Sequence, residues 1–170
     1  MTLSGTMCTN HPTSAGEACV NHPLLSADAW SEISNGRPAD DGIKAWLVCR
    51  FACPVRDKCP FDNGQEVIAK GGWFDSRGNF IKPPDDRMEL RQAVVYLGIS
   101  EQYLRRLIKL HDIKTVTGPS AVQIAYLRIT DVKTLALTLG PRHGTVSRFE
   151  LHLLRGEQPC NLCYLASGIS

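Results

Sequence analysis

The sequence predicts a mainly α-helical protein with three parts: a small metal-stapled helical domain, a winged helix-turn-helix unit of the α+β class, and a short zinc-knuckle-like tail. Seven of its 170 residues are cysteines, and six of these fall into two groups. Between the groups, two consecutive segments carry apolar residues at helical spacing. A Pro-Pro-Asp-Asp string at 83–86 is typical of a linker. The predicted domains are therefore residues 1–82, 86–140 and 141–170.

The composition indicates a globular chain with several small cores. Apolar residues make up 43% and charged residues 21%, which is ordinary for a soluble protein, but aromatic residues reach only 7%. Small cores often need a staple such as a metal ion. The sequence shows no secretory signal, and no apolar run approaches the ~18 residues that span a bilayer. We therefore expect a cytoplasmic protein, in which clustered cysteines are more often metal ligands than disulfides.

The first cysteine group follows the pattern C-x29-C-x3-C-x5-C and consists of Cys19, Cys49, Cys53 and Cys59. The C-x3-C step fits one helical turn, so Cys49 and Cys53 should share a face. Four thiolates satisfy either a tetrahedral Zn²⁺ or an iron–sulfur cluster, and the spacing does not choose between them. Scattered buried cysteines or a redox disulfide are the alternatives. Cys8 is a spare thiol, with His11 close by in the sequence.

Two helices are expected around this group. Apolar residues between Ile43 and Val48 suit a short helix just before Cys49. A second helix is predicted from Phe61 to Lys70, ended by Gly71 and the glycine that follows it.

Residues 49–59 read CRFACPVRDKC, and this string resembles the core of the WhiB-like family, whose usual run is C-x2-C-P-V-x3-C after a distant first cysteine. Cys19 stands where that first cysteine belongs, and Gly71, Gly72 and Trp73 stand where the family has a turn containing Gly and Trp. The resemblance covers residues 17–80. The step here is C-x3-C, which rotates one ligand and keeps Zn²⁺ as the alternative metal.

The resemblance to the WhiB-like family implies three things. A [4Fe–4S] cluster would be held by the four cysteines. The cluster face and the Gly/Trp turn would dock on the principal sigma factor of RNA polymerase. The protein would come from an actinobacterium or from a phage that infects one.

Residues 86–140 carry the pattern of two helices, a hairpin and a third helix. Gly98 permits the left-handed backbone of a tight turn, and Ser100 is a good N-cap for the helix that follows it. The predicted elements are a helix over Leu90–Leu97, a helix over Glu101–His111, strands over Ile113–Thr117 and Val122–Ile129, and a helix over Asp131–Leu139 capped by Thr130.

The segment from Leu90 to Lys109 resembles the helix-turn-helix of excisionase and MerR-type DNA-binding domains. From Arg87 to Lys133 there are eight Lys or Arg and four Asp or Glu, a local charge of +4 in a chain of net charge +2. The second helix is therefore expected to enter the major groove of DNA. The predicted DNA-binding residues are Gln102, Arg105, Arg106 and Lys109. The alternative is a helical packing module with a solvated basic face.

The tail carries four potential metal ligands in the pattern H-x8-H-x7-C-x2-C: His143, His152, Cys160 and Cys163. A C-x2-C knuckle is a standard zinc half-site, and two histidines can complete it. The tail is short and polar, so it cannot fold on apolar burial alone. Zinc binding would supply on the order of 10 kcal/mol. A disordered tail with an exposed dithiol is the alternative.

These patterns favour a DNA-associated transcriptional regulator in the cytoplasm and nucleoid of a bacterial host. By the WhiB-like resemblance it would carry an iron–sulfur cluster and act with a sigma factor. The alternative is a zinc-stapled DNA-binding phage factor, architectural or excision-directing, without a redox role. An enzyme is not expected, because no C-x2-C opens a helix inside a βαβ unit and the Asp pairs at 40–41 and 85–86 lie in loop or linker sequence.

Overall fold

The computed structural model describes residues 22–53, 56, 59, 67–117 and 124–168. The fold is mixed α/β and mostly helical, with several small antiparallel sheets. The chain forms two compact units: an N-terminal unit of Met1–Lys82 with Leu153–Glu157, and a C-terminal unit of Pro83–His152 with Gln158–Ser170. None of the described helices is long and apolar enough to cross a membrane.

In its described residues, the N-terminal unit combines one short helix with two small sheets. A 3₁₀ turn covers Ala27–Ser31, and a π-helical turn over Val48–Ala52 directly continues the first helix. The other elements are β1 (Ile33–Ser34), β2 (Arg37–Pro38), α1 (Asp41–Leu47), β3 (Val67–Ala69), β4 (Gly72–Phe74) and β5 (Phe80–Ile81).

The core of this unit forms where α1 meets the β3–β4 hairpin. Trp46 on α1 is completely buried, and its Nε1 donates a hydrogen bond to the carbonyl of Gly71 at 3.2 Å. Trp73 on β4 is also buried, pairs with Ile68 across the hairpin and donates Nε1 to the carbonyl of Gly36 at 2.8 Å. Both indole N–H groups therefore have partners, which allows these large side chains to be buried. The short helix predicted from Ile43 is confirmed.

The helix predicted over Phe61–Lys70 is wrong where the structure describes it, because Val67–Ala69 form a strand. Lys70 and Gly71 both have positive φ, at 54° and 74°, and they connect β3 to β4 as a two-residue loop. Such primed turns match the twist of paired strands, so the turn selects a hairpin over a continued helix. Residues 61–66 lie outside the described part of the chain.

Over the part of the chain that the structure describes, the C-terminal unit contains five helices and one three-stranded sheet in the order β6–β8–β7. Residues 153–155 of the fourth of these helices, α5, are assigned to the N-terminal unit. The elements are β6 (Arg87–Glu89), α2 (Leu90–Leu97), α3 (Glu101–Leu110), β7 (Val116–Thr117), β8 (Ala125–Arg128), α4 (Ile129–Thr138), α5 (Val146–Arg155) and α6 (Asn161–Ser167).

The turn between α2 and α3 agrees with the sequence prediction. Gly98 adopts the left-handed conformation (φ 67°, ψ 38°), and its N–H bonds back to the carbonyl of Val94. The Ser100 hydroxyl accepts the N–H of Tyr103 at 3.3 Å, so the predicted N-cap is confirmed. Leu97 and Leu104 are completely buried on either side of the turn. The two helices therefore share one apolar contact with a fixed turn between them.

The sheet and α4 differ in detail from the prediction. β6 was not predicted; it pairs with β8, with Met88 opposite Leu127 and both side chains buried. The strands predicted over Ile113–Thr117 and Val122–Ile129 are shorter than expected. Helix α4 begins at Ile129 with Arg128 as N-cap, so Thr130 is not the cap. The Ile129 N–H donates to the carbonyl of Asp86, which fixes this earlier start.

The tail holds two helices that the sequence analysis missed. Along α5, Phe149 and Leu151 are buried, and so are Leu153 and Leu154. Their spacing of three to four residues is a helical signal. The tail therefore has apolar contacts of its own, and whether it folds without a metal stays a prediction. Phe149 also packs its ring edge-to-face on Tyr164 of α6, with centroids 5.6 Å apart.

Candidate metal centre and nucleic-acid interface

Three neighbouring segments of the C-terminal unit bring four potential ligands together. His143 lies in the loop before α5, and His152 lies on α5 itself. Cys160 is the N-cap residue of α6, and Cys163 lies in the first turn of that helix. Residues at an N-cap and three positions later face each other across the first turn, which explains why a C-x2-C step serves one site.

The ligand atoms of this group are close enough to share one ion. The Nδ1 of His143 lies 3.3 Å from Sγ of Cys160 and 3.7 Å from Sγ of Cys163. The two sulfur atoms are 3.5 Å apart, much further than the ~2.05 Å of a disulfide. With His152 included, one ligand atom from each residue lies within 4.8 Å of every other. The group could therefore hold a metal ion.

The surroundings of the group are uneven. Cys163 is completely buried and His152 is 6% exposed, whereas His143 is exposed and Cys160 is half-buried. The N–H of Gly144 donates to Sγ of Cys163 at 3.3 Å, and Gly144 has a φ of 81° that favours glycine. The loop backbone thus supports one sulfur directly, as outer hydrogen bonds commonly do around metal ligands.

The charge state of Cys160 also suits metal binding. The backbone N–H of Cys163, followed by the His143 side chain and the Cys163 thiol, lowers the pKa of Cys160 to about 7. A substantial fraction of this thiol is therefore deprotonated at neutral pH. The thiolate is the form that binds metals, so fewer protons must be released when an ion binds.

The N-terminal thiols have a different setting. Cys49 is buried, lies in the π-helical turn, and its Sγ accepts the N–H of Gly71 at 3.2 Å. The N–H of Cys53 bonds to the carbonyl of Val48, five residues back, at 2.9 Å. The step from Cys49 to Cys53 thus passes through a π-turn, and not through the α-helical turn that the sequence analysis assumed.

Cys59 is half-buried and packs on Ala69 and Phe74. Cys19, like Cys8 and His11, lies outside the described residues, so the predicted four-cysteine set stays a prediction. Within the described ranges, the group that comes close enough to share one ion is the C-terminal one.

The predicted partner-binding turn is buried inside the N-terminal unit. A Cβ built at Gly71 would lie 2.9 Å from Cδ of Arg56, and one at Gly72 would lie 2.4 Å from the carbonyl oxygen of Ile81. Trp73 is 3% exposed. Close packing thus explains the two glycines and the tryptophan in this turn. Their contact with a sigma factor stays a prediction.

Helix α3 presents the predicted DNA-binding residues on its exposed side. Gln102, Arg105, Arg106 and Lys109 are exposed, whereas Leu104 and Leu107 are buried beneath them. Arg105 forms an ion pair with Glu101, at 2.6 Å between Nη2 and Oε1.

Two further apolar residues of α3, Tyr103 and Leu110, are 44% and 76% exposed. The buried face of α3 is therefore narrower than the sequence pattern indicated. DNA contact itself stays a prediction.

No protein-family model matches this chain, and neither a curated protein nor a solved structure matches it. The resemblances of the sequence therefore stay expectations.

Proposed function

We propose that the protein is a DNA-binding transcriptional regulator whose C-terminal unit contacts DNA through α3 and is stabilised by a zinc ion. The observation that carries the proposal is the two-sided character of α3. Leu104 and Leu107 are buried, whereas Arg106 and Lys109 are exposed on the opposite side. A helix held from one side, with cationic and amide groups on the other, has the form that enters a major groove ~12 Å wide. In this proposal the protein is not an enzyme.

The strands that follow α3 support the same placement of this helix on DNA. The antiparallel pair of β7 and β8 follows α3 as a wing, with Lys114 exposed just before β7 and Arg128 exposed at the end of β8. The excess of positive charge from Arg87 to Lys133 attracts phosphate groups whatever the DNA sequence. The α3 side chains would then supply contacts with base edges.

A DNA titration tests the proposal. We expect the full chain to bind a fluorescent duplex of mixed sequence, with an affinity that falls steeply as salt rises. Arg106→Ala should weaken binding by about 1–3 kcal/mol, or reduce the salt slope by about one if this arginine contacts a phosphate. Arg77→Ala is the matched control, since it removes one exposed positive charge from a turn of the N-terminal unit. Equal affinity of the Arg106→Ala variant and the wild type would refute α3 as the DNA-contacting helix.

The spacing of the C-terminal ligands supports zinc as the ion. Bond lengths of about 2.3 Å for sulfur and 2.0–2.1 Å for nitrogen place tetrahedral ligand atoms roughly 3.3–3.8 Å apart. The Nδ1 of His143 and the two sulfur atoms are 3.3, 3.5 and 3.7 Å apart, and the ligand atom of His152 lies within 4.8 Å of the other three. The four cysteines of a [4Fe–4S] cluster bind four different iron atoms and would have to stand further apart. Metal analysis should find one zinc per chain that Cys160→Ser removes.

For the N-terminal unit we propose a [4Fe–4S] cluster held by Cys19, Cys49, Cys53 and Cys59. The proposed partner is a sigma factor, and the proposed origin is an actinobacterium or a phage. What supports this proposal is the setting of Cys49, which is buried and whose sulfur accepts a backbone N–H, the type of hydrogen bond that tunes cluster potentials. A bound cluster would make this unit sensitive to oxidants.

Anaerobic purification followed by metal analysis tests the cluster. About four irons with acid-labile sulfide per chain would support it. Zinc without iron, even after cluster reconstitution, would favour the alternative, a zinc-stapled DNA-binding phage factor without a redox role.

A further inference from the structure

We propose that zinc in the His143–His152–Cys160–Cys163 group holds the α2–α3 turn in its DNA-binding conformation, so that DNA binding by this chain depends on the metal. The inference rests on the proposed function, since it concerns the same helix-turn-helix. It assigns the C-terminal helices a role beyond their own stability: they form a support behind the turn that orients α3.

The four ligands join the ion to α5. His143 lies three residues before α5, His152 lies in its second half, and both cysteines lie at the start of α6. One ion therefore ties the loop, α5 and α6 together. Helices of ten and seven residues are too short to be stable alone, so they depend on such ties and on packing. The Phe149–Tyr164 ring contact is the packing part of this connection.

An apolar contact joins α5 to the helix-turn-helix. Leu151, the residue before the ligand His152, is 5% exposed and packs against the turn residue Gly98. A Cβ built at Gly98 would lie only 2.7 Å from Cδ1 of Leu151, and one at Gly140 would lie 3.6 Å from the same atom. Leu151 thus fills the space between the α2–α3 turn and the loop after α4.

A polar contact holds α5 in the same place. One turn before His152, Nη1 of Arg148 donates to the carbonyl of Leu139 at 3.3 Å, at the end of α4. Arg148 is buried, and its backbone N–H is bonded to the Thr145 hydroxyl at 3.2 Å. Helix α5 is therefore attached to both ends of the segment that runs from the turn to α4, and its register is fixed there.

These contacts connect the metal ion to the α2–α3 turn through α5. Without the ion, α6 and the loop around Gly144 lose the metal tie to α5, and the Phe149–Tyr164 contact is the remaining connection between α5 and α6 that is described above. The α5 segment then no longer holds Leu151 against Gly98, and the angle between α2 and α3 is less restricted. Apparent DNA affinity falls in proportion to the fraction of molecules that keep the binding conformation.

Two measurements on the full chain test the coupling. The first is DNA affinity for a mixed-sequence duplex, measured with zinc-loaded, chelated and zinc-reloaded protein. We expect affinity to fall at least tenfold on chelation and to return with Zn²⁺ but not with Mg²⁺. The second is amide hydrogen exchange, which reports on the turn whether or not DNA binds. The amides of Gly98 and Ile99, both bonded to the carbonyl of Val94, should exchange at least tenfold faster without zinc.

A variant separates the coupling from simple unfolding. Leu151→Ala keeps all four ligands, so it should retain one zinc while losing at least tenfold in DNA affinity and in protection of Gly98. Leu165→Ala is the matched control, because this leucine of α6 is 80% exposed. Equal protection of Gly98 and Ile99 with and without zinc would overturn the coupling, and DNA binding by the chelated protein at unchanged affinity would do the same. If no form binds DNA while protection still depends on zinc, the coupling stands and the DNA-binding function is refuted.

Discussion

The two cysteine groups of this chain differ in how closely the fold gathers them. In the C-terminal unit, two thiols and two imidazoles offer ligand atoms within 4.8 Å of one another. In the N-terminal unit, Cys49 lies in a π-turn against the amide of Gly71, while Cys59 packs on Ala69 and Phe74. Each group supplies four potential ligand residues in the sequence, yet their surroundings are unlike.

This difference shows that, for the assembly of a metal site, the secondary-structure elements that carry the ligands matter more than the spacing of the ligands in the sequence. Cys160 and Cys163 occupy the N-cap and the first turn of one helix, so local geometry alone brings their sulfur atoms together. Cys19 and Cys49 are separated by 29 residues, and their approach depends on tertiary packing. A pair of ligands at one helix end is brought together by that helix itself. A site made across a long loop depends much more on the metal for its assembly.

The largest effect is expected from a variant that breaks the C-terminal site and leaves the N-terminal thiols intact. Cys163→Ser removes a fully buried ligand. A structural zinc site supplies ~10–16 kcal/mol of binding free energy, and one of its four ligands accounts for roughly a quarter of that. Zinc affinity should fall about 100-fold or more, with loss of helical circular dichroism. A competition titration with a chromophoric chelator measures the affinity. Cys53→Ser is the matched variant in the other unit, and an equal loss of that zinc in both variants would contradict the separation of the two groups.

A second effect concerns acid stability and belongs to the N-terminal unit. Burial lowers the pKa of His22 from 6.5 to about 4, and its Nδ1 accepts the N–H of Leu24 at 3.3 Å. The unfolded chain therefore binds a proton near pH 6.5 while the folded chain does not. The free energy of unfolding should be constant above that pH and fall by roughly 2–3 kcal/mol as the pH drops towards 4.

All three tryptophans lie in the N-terminal unit, so urea denaturation followed by tryptophan fluorescence isolates this effect. His22→Asn keeps an acceptor near the Nδ1 position and should flatten the pH dependence. An unchanged slope in that variant would assign the acid sensitivity to another group.

A smaller effect probes the backbone contact to Cys49. Gly71→Ala should destabilise the N-terminal unit by about 1–2 kcal/mol through its positive φ, with a further cost because the new Cβ would lie 2.9 Å from Arg56. Gly36→Ala is the control, since Gly36 has nearly the same φ, 72°, but nothing within 4 Å of the added carbon. The difference between the two variants in urea denaturation measures the crowding beside Cys49. No difference would mean that Arg56 moves aside without cost.

The smallest expected effect is kinetic. With its pKa at about 7, Cys160 in metal-free protein is about half thiolate at neutral pH, and the fraction rises with pH. Its lower intrinsic nucleophilicity offsets part of this gain, so alkylation at pH 7 should be roughly threefold faster than that of an ordinary thiol. Iodoacetamide labelling read by mass spectrometry should give a half-maximal rate near pH 7. Labelling at the same rate in zinc-loaded protein would show that Cys160 is not a ligand.

The sequence predicted those parts of the fold that depend on short-range chemistry. The Gly98 turn and the Ser100 cap follow from the conformational freedom of glycine and the hydroxyl of serine, and both are confirmed. The strand at Val67–Ala69 was missed because a two-residue turn and pairing with β4 override local helix propensity. The tail helices were missed because the tail was judged polar, although Phe149 and Leu151 are buried and Phe149 packs on Tyr164.

The same distinction applies to the candidate sites. His143, His152, Cys160 and Cys163 were chosen from spacing, and the fold brings them together. The exposure of Gln102, Arg105, Arg106 and Lys109 followed from helical periodicity. The π-turn at Cys49 could not be predicted, since it depends on how α1 ends against the β3–β4 turn. Burial of Trp73 depends likewise on long-range packing with Gly36.

The uneven burial of the C-terminal ligands has a consequence for exchange rates. Cys163 and His152 are enclosed, while His143 stands exposed on a short loop. An incoming chelator or metal carrier can approach from the His143 side and replace one ligand at a time. We therefore expect the residence time of the ion to be determined by opening of this loop, on the timescale of loop motion, and not by global unfolding. A site of high affinity would then still equilibrate rapidly with the zinc supply of the cell.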